Sequence, residues 1–151
     1  MDEPEYAPLF PAGFHEIEIS QFENLFISKF VNKERRKFLI KQLDNFLSEL
    51  VKVKAKFEIW LDGSFSTYKD EPNDIDILII FNEKELSELS IEEQSILDVL
   101  FDRDIIKIRY NIDVLLCPDD DINRKSYWRG WFGFSRLEAP KGIPRFYYGS
   151  N

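Results

Sequence analysis

Residues 57–81, FEIWLDGSFSTYKDEPNDIDILIIF, decide the fold of this chain. The first five residues alternate in polarity as a strand does, and they lead into a turn at Gly63 and Ser64. After nine intervening residues, Asp74 and Asp76 open an almost unbroken run of apolar and β-branched residues. A run of that kind is typical of a strand buried on both faces. The segment therefore predicts two strands joined by a glycine turn and a polar loop.

The size of the chain, 151 residues, fits one domain that is long enough to bury a sizeable core. We expect a single domain over residues 1–151, with an irregular N-terminal arm at 1–16 and a core with the candidate catalytic residues at 57–117. Residues 122–151 form a basic, aromatic C-terminal segment. The single cysteine excludes an internal disulfide, and no stretch reads as a signal peptide or a membrane span. We therefore expect a cytoplasmic protein that does not contact membranes.

The remaining segments predict helices packed on a small sheet. Apolar residues recur at helical spacing over residues 33–54, a pattern that assigns Arg35 and Arg36 to the other faces of that helix. Ser20 and Glu23 have the spacing of a capping box for a short helix. Residues 104–110 fit either a strand or the end of the preceding helix. Further elements are predicted as helices over 82–103 and 127–134 and strands over 111–117 and 143–148. This order predicts an α+β fold, a small mixed β-sheet with helices packed against it.

Charge is unevenly distributed along the chain. The net charge of −8 argues against broad, nonspecific binding to nucleic acid. Residues 122–151, however, hold six basic residues and one acidic residue, a net charge of +5 that leaves −13 for the rest. This segment fits a surface that faces a triphosphate or an acidic partner, and equally a solvated surface; Arg129, Arg136 and Lys141 are candidate triphosphate contacts. A core position is favoured over a base-stacking platform for its aromatic cluster, Trp128, Trp131, Phe132 and Phe134.

Three aspartates form the candidate metal site. Asp74 and Asp76 project to the same side of one strand, about 7 Å apart at the Cα atoms, and can share divalent cations. Asp113 lies between apolar residues of a later strand and supplies a third carboxylate if the two strands are neighbours. The sequence therefore predicts that the three carboxylates bind Mg²⁺ or Mn²⁺. The alternative, a turn whose acids lie in solvent, leaves Asp113 unexplained.

The turn before the aspartates is the candidate phosphate-binding element. Gly63 allows the backbone to approach a phosphate closely, and the Ser64 hydroxyl and the following amides can donate hydrogen bonds to phosphate oxygens. Thr67 and Lys69 lie in the same loop and offer a further donor and a charge. Either motif alone is a weak signal. The turn and the aspartates together, at this spacing, favour binding of a metal-bound nucleoside triphosphate.

This arrangement resembles the polymerase-β-type nucleotidyltransferase superfamily, whose signature is an apolar residue, Gly-Ser, a short spacer, Asp-x-Asp and a later carboxylate. The matching residues are Leu61, Gly63, Ser64, Asp74, Asp76 and Asp113, with Asp62 standing between the apolar residue and the glycine. The string GSFSTYKDEPNDID, with the PAGFHEI and PKGIPRF segments, is similar to a set of small bacterial proteins. The resemblance implies a minimal nucleotidyltransferase fold and Mg²⁺-dependent chemistry on a nucleoside triphosphate.

The expected function is transfer of a nucleoside monophosphate to a hydroxyl of an acceptor, which could be RNA, a protein or a small molecule. In this reading Asp74 and Asp76 hold both metals, Asp113 binds the catalytic metal, and Gly63 and Ser64 hold the β- and γ-phosphates. An alternative is an antitoxin-type or immunity-type module that holds a protein partner, with transfer secondary or absent. A third option is a metal-dependent phosphohydrolase, which the Gly-Ser spacing disfavours.

Overall fold

The computed structural model describes residues 6–149, in which five strands and six helices are present. The strands are β1 (Gly13–Glu16), β2 (Lys56–Asp62), β3 (Ile75–Phe81), β4 (Ile112–Pro118) and β5 (Gly142–Gly149). The helices are α1 (Phe22–Phe26), α2 (Glu34–Leu50), α3 (Glu83–Ser87), α4 (Ile91–Leu100), α5 (Arg103–Tyr110) and α6 (Ile122–Phe132). The predicted α+β class, a mixed sheet with helices packed on it, is confirmed.

The strands form one mixed sheet in the order β1-β5-β2-β3-β4. β2 pairs antiparallel with both β3 and β5, whereas β4 is parallel to β3 and β1 is parallel to β5. The β2–β3 hairpin encloses the Gly63 turn and the polar loop that residues 57–81 predicted. The parallel β3–β4 connection runs through α3, α4 and α5, as a crossover between parallel strands requires.

The two faces of the sheet bury different residues, because successive side chains of a strand point to opposite faces. On one face, Ile75, Ile77 and Ile79 of β3 join the larger core with apolar side chains of α1, α2, α4 and α5. On the other face, Leu78 and Ile80 form a smaller core with apolar residues of β2, β4, β5 and α6. Helix α6 thus lies on the side of the sheet opposite to the main helical layer.

Some predicted boundaries are wrong. Residues 13–16 are not irregular, because β1 pairs with the outer edge of β5; residues 1–5 of the predicted arm lie outside the described chain. The helix predicted over 82–103 is two helices, since the Ser90 side chain caps α4 with Glu93 as its capping-box partner. Residues 103–110 form helix α5 and not a strand, and Asn111 directly after it adopts a left-handed conformation with φ of 57°.

The first helical segments also differ from the prediction. The capping box joins Glu18 and Gln21 at a 3-10 turn (Ile19–Gln21) directly before α1, rather than Ser20 and Glu23. Arg36, which helical spacing assigned to another face of α2, is fully buried on the apolar face with Leu39 and Leu43. Helical periodicity identifies a buried face by its apolar residues. The prediction therefore omitted Arg36, a charged residue on the buried face of α2.

No helix among residues 6–149 has the length and apolarity needed to cross a membrane. The cysteine, Cys117, is a buried free thiol in the smaller core. Burial raises its pKa, which favours the protonated, unreactive form.

Candidate active site

Three aspartates form one row across three neighbouring strands. Asp62 at the end of β2 is paired with Asp76 of β3, and Asp76 is paired with Asp113 of β4. Directly paired residues of adjacent strands point to the same face, and neighbouring strands lie about 4.8 Å apart. The row therefore brings three carboxylates onto the face that also carries α6. Asp74, two residues before Asp76, adds a fourth carboxylate on the same side.

The crowding of these carboxylates changes the acidity of the central one. The pKa of Asp76 is raised to about 7, first because burial disfavours the charged carboxylate and then because Asp74, Asp62 and Asp113 are negatively charged neighbours. Burial also raises the pKa of Asp62, although the Lys141 ammonium opposes that change. Three negatively charged carboxylates thus surround Asp76, and their combined charge favours a cation at this position.

Gly63 allows the turn after β2 to pass close to this carboxylate. Its φ of +80° is in the region that favours glycine, and an added Cβ would lie 2.7 Å from Oδ2 of Asp76. No other residue type fits here without moving the turn or the aspartate. The predicted juxtaposition of the Gly63 turn and Asp76 is therefore present in the structure.

Basic side chains contact three of the four carboxylates. Lys141 Nζ lies 2.5 Å from Oδ1 of Asp62, and both side chains are nearly buried. Arg103 donates two hydrogen bonds to Asp113, at 2.6 and 2.9 Å. Lys107 Nζ lies 3.8 Å from Oδ2 of Asp74. Arg103 and Lys107 are more than half exposed, so these two contacts are far less constrained than the Lys141 pair.

The donor set fits a hard divalent cation in its chemistry. Carboxylate oxygens are the ligands that Mg²⁺ and Mn²⁺ prefer, and a bound cation would relieve the repulsion that raises the pKa of Asp76. Within residues 6–149, no three His, Cys, Asp or Glu side chains converge closely enough to hold a metal ion in the present rotamers. In this conformation Asp74 lies beside Lys107, and Asp113 is hydrogen-bonded to Arg103.

The predicted phosphate-binding residues take different positions around the turn. Ser64 begins a 3-10 turn (Ser64–Ser66), and its carbonyl accepts a hydrogen bond of 2.6 Å from the Thr67 hydroxyl. Thr67 therefore shapes the turn with its side chain. The Lys69 ammonium lies 6.0 Å from the ring centroid of Tyr6. Gly63 and Ser64 are adjacent to the aspartate row, whereas the Lys69 side chain contacts the N-terminal segment.

Two arginines at the start of α2 hold the loop between the turn and β3. The buried Arg36 guanidinium donates five hydrogen bonds to the carbonyls of four residues, three of them in the loop. It also stacks 3.7 Å from the ring centroid of Phe30. Burial lowers the pKa of Arg36 to about 10, against the opposing charge of Asp70. Arg35 donates to the carbonyls of Pro72 and Asn73, directly before Asp74.

Sequence reasoning missed several residues of this site. Asp62 carried a local signal, because it ends a strand directly before Gly63, but it was given no role. Lys141 was one of three basic candidates, and the structure places it at the aspartate row. Arg129 instead lies over the Phe14 ring, with its Cζ 5.8 Å from the ring centroid. Arg103 had no signal at all, since its contact with Asp113 depends on how α5 docks on β4.

The fold and the site define an α+β protein whose sheet carries a helical layer on one face and a row of carboxylates on the other. Residues 2–146 match a single family model, described as a family of unknown function (DUF6932), and the chain belongs to that family. Neither the curated proteins nor the solved structures include a match to this chain.

Proposed function

We propose that this protein is a nucleotidyltransferase that moves a nucleoside monophosphate from a nucleoside triphosphate to a hydroxyl group. The observation that carries the proposal is the row of Asp62, Asp76 and Asp113 beside the Gly63 turn. Carboxylates on neighbouring strands next to a glycine turn suit a substrate that combines metal-binding phosphates with a reacting phosphorus. The resemblance of residues 57–117 to polymerase-β-type nucleotidyltransferases supports the same reaction.

The reaction is a displacement at the α-phosphorus. The acceptor hydroxyl oxygen forms a bond to that phosphorus, and the bond from phosphorus to the bridging oxygen of pyrophosphate breaks. Pyrophosphate leaves with the bonding electrons, and the hydroxyl proton passes to the Asp113 carboxylate. Mg²⁺ or Mn²⁺ held by Asp74, Asp76 and Asp113 would neutralise the triphosphate and make the attacking hydroxyl more acidic.

Neutral hydrogen-bond donors and basic side chains of the chain assist binding of the triphosphate. Amides and the hydroxyl at Gly63 and Ser64 donate to the β- and γ-phosphates, as they lie at the rim of the carboxylate row. Arg103 and Lys107 have long, exposed side chains that can exchange a carboxylate for a phosphate oxygen. Lys141 stays with Asp62, because separating this buried pair would leave a charge without a partner.

Thermal unfolding with each of the four nucleoside triphosphates, in Mg²⁺, Mn²⁺ or EDTA, tests the proposal. A triphosphate at about a hundredfold its Kd stabilises the fold by roughly 2.7 kcal/mol, a rise in Tm of about 5–10 °C. We expect a metal-dependent rise for wild type and Asp98→Asn, an exposed control on α4, and none for Asp76→Asn. Retention of full nucleotide binding and transfer by Asp76→Asn would show the mechanism to be wrong.

A nucleotide labelled at the α- or the γ-phosphate separates transfer from hydrolysis. Transfer moves the α-label to the acceptor and releases the γ-label in pyrophosphate. Release of the γ-label as inorganic phosphate would identify a phosphohydrolase instead.

A second candidate is a protein-binding module of the antitoxin or immunity type. The observation that favours it is the pairing of Asp62, Asp74 and Asp113 with basic side chains of the same chain, which leaves less negative charge for a metal. Size-exclusion chromatography of the complex discriminates between the two functions. A stoichiometric partner that still binds the triple variant Asp74→Asn, Asp76→Asn, Asp113→Asn supports the module, and a free monomer argues against it.

A further inference from the structure

Lys141 is a nearly buried cation at the carboxylate row. Its Nζ lies 2.5 Å from Oδ1 of Asp62, and the two side chains are only 12% and 7% exposed. Arg103 and Lys107, which contact other carboxylates of the site, are 61% and 58% exposed. Water competes for an exposed ion pair, whereas a buried pair is held by the cost of leaving either charge alone. Lys141 is therefore the fixed cation of the site, and the other two can move.

The backbone on both sides of this lysine is bound to other segments. The Lys141 N–H donates a hydrogen bond of 2.9 Å to the carbonyl of Gly133, directly after α6. Gly142, the first residue of β5, donates a hydrogen bond of 3.0 Å to the carbonyl of Phe10. The Lys141 side chain therefore reaches Asp62 from a defined position, at the junction of α6 with β5.

The carboxylate row contains two gaps between neighbouring strands. One gap separates Asp62 from Asp76, and the other separates Asp76 from Asp113. Paired strands lie about 4.8 Å apart, so the carboxylates on either side of a gap are near enough to share a cation. Lys141 lies against Asp62 at the first gap, and its charge also opposes the rise in the pKa of Asp76. At the second gap the nearest cation is the exposed Arg103.

We propose that Lys141 is a built-in cation that takes the place of one divalent metal ion, so that the site binds a single Mg²⁺ or Mn²⁺ at the other three carboxylates. This inference rests on the proposed function for the use of that metal ion, although the number bound is measured without nucleotide. Lys141 is then a positioning residue: it neutralises and orients Asp62 and does not contact the reacting atoms. Two-metal sites hold their ions about 3.5–4 Å apart, a separation that one filled gap of the row prevents.

Removal of the ammonium should open the first gap to a metal ion. Lys141→Met keeps most of the length of the side chain but leaves the buried Asp62 carboxylate without a counter-ion, which destabilises the fold. A divalent cation can supply the missing charge, because carboxylate oxygens are ligands that Mg²⁺ and Mn²⁺ prefer. An ion pair with a structural role alone would show the loss of stability without recovery in metal.

Two measurements without nucleotide test the inference: Tm in EDTA or in Mn²⁺, and the number of Mn²⁺ ions bound, counted by electron paramagnetic resonance of the free ion. We expect the Tm of Lys141→Met in EDTA to lie at least about 5 °C below that of wild type, with most of the loss recovered in Mn²⁺. Lys141→Met should bind one more Mn²⁺ per chain than wild type, which should bind no more than one. Lys141→Arg, which keeps the charge, should bind as many as wild type.

Two further variants serve as controls. Arg145→Met removes the cation of a second ion pair, in which Arg145 lies 3.3 Å from Glu16, a side chain that is 70% exposed. No buried charge is left behind, so this variant should bind no additional Mn²⁺. The double variant Asp62→Asn, Lys141→Met removes both charges of the buried pair and should fold without metal. It should bind as many Mn²⁺ ions as wild type, because the first gap then lacks one of its carboxylates.

Several results would overturn the inference. They are two Mn²⁺ ions per wild-type chain, equal numbers in wild type and Lys141→Met, an additional ion in Arg145→Met or in the double variant, and a loss of Tm that Mn²⁺ does not recover. If Lys141→Met is unfolded in EDTA, we expect Mn²⁺ to refold it, and failure to refold also overturns the inference. Any of these results with an intact nucleotide-dependent rise in the wild-type Tm refutes this inference alone. An additional Mn²⁺ in Lys141→Met, with no such rise in wild type, refutes only the proposed function.

Discussion

On the helix-covered face of the sheet, the paired neighbours Ile77 and Val114 are almost completely buried among apolar side chains. One residue earlier on each strand, Asp76 and Asp113 are also paired neighbours, but they lie on the opposite face among other charges. The first face stabilises the fold by removing apolar surface from water. The aspartate row on the second face opposes the fold, because it holds like charges together at the edge of the smaller core. Alternation along β3 and β4 thus places buried apolar residues and the carboxylates of the candidate site on opposite faces, one residue apart.

The largest expected effect is on activity and comes from the charged face. If the proposed function holds, Asp76→Asn should lower transfer by at least about a thousandfold, equivalent to about 4 kcal/mol of transition-state stabilisation, because the central carboxylate of the proposed metal site is lost. Its neighbour provides the matched control on the other face. Ile77→Val should cost about 1 kcal/mol of unfolding free energy and leave transfer unchanged. Equal losses of activity in both variants would contradict the separation of the two faces.

The next effect concerns the loop between β2 and β3, which leads into the aspartates of the charged face. Arg36→Met should lower the free energy of unfolding by about 3 kcal/mol, because buried carbonyls lose their hydrogen-bond donor. Urea denaturation measures the change, with Lys37→Met, exposed one residue later on α2, as the control. A loss under about 1 kcal/mol would mean that the loop keeps its conformation without the guanidinium.

The Gly63 turn should show an intermediate effect on both stability and activity. Gly63→Ala introduces a Cβ 2.7 Å from the Asp76 carboxylate at a φ of +80°, so we expect a loss of about 2 kcal/mol in stability and reduced transfer. Gly130→Ala is the control, since nothing lies within 4 Å of the added methyl group in α6. It should stabilise the protein slightly. If Gly63→Ala behaves like Gly130→Ala, the turn does not approach Asp76 closely.

The smallest effect is a dependence of stability on pH in EDTA. The pKa of Asp76 is about 7 in the folded protein and 3.8 as its ordinary value, so the folded state binds more protons between these values. Stability contributed by this group therefore falls as the pH rises from about 4 to 7, by about 1–2 kcal/mol once solvent screening is allowed for. Wild type minus Asp76→Asn, measured by urea denaturation at about pH 5 and 8, isolates the effect. Parallel profiles for the two proteins would contradict it.

Much of the fold was predictable because its signals are local. The strand–turn–strand over residues 57–81, the long helix α2 and the buried strand β4 follow from periodicity and from glycine at the turn. β1 was missed because four residues next to prolines carry no strand pattern of their own, and their pairing with β5 depends on chain far away in sequence. The splitting of residues 82–103 into two helices was missed although Ser90 and Glu93 form a capping box.

Three of the four acidic residues of the candidate site were predicted, whereas Lys141 was the only one of its basic residues among the candidates. Asp74 and Asp76 follow from strand alternation, and Asp113 follows as the polar exception in an apolar strand. Their basic partners are long side chains from other elements, and a flexible stem can direct its charge to any of several places. Arg36 was assigned to the wrong face because helical periodicity treats a charge as solvent-facing. Its burial is possible only where backbone carbonyls of the loop and of Phe26 supply every acceptor that the guanidinium needs.

The sequence by itself determined the class of fold, the glycine turn and the three aspartates, since each depends on the conformation of a few consecutive residues. Only the tertiary structure decided that Asp62 joins the row, that Lys141 neutralises it, and that Tyr127, Trp131 and Phe134 face outward beside Phe132 in the core. These facts depend on strand register and on how α6 docks on the sheet. Both arise from packing between distant segments, which no local pattern encodes.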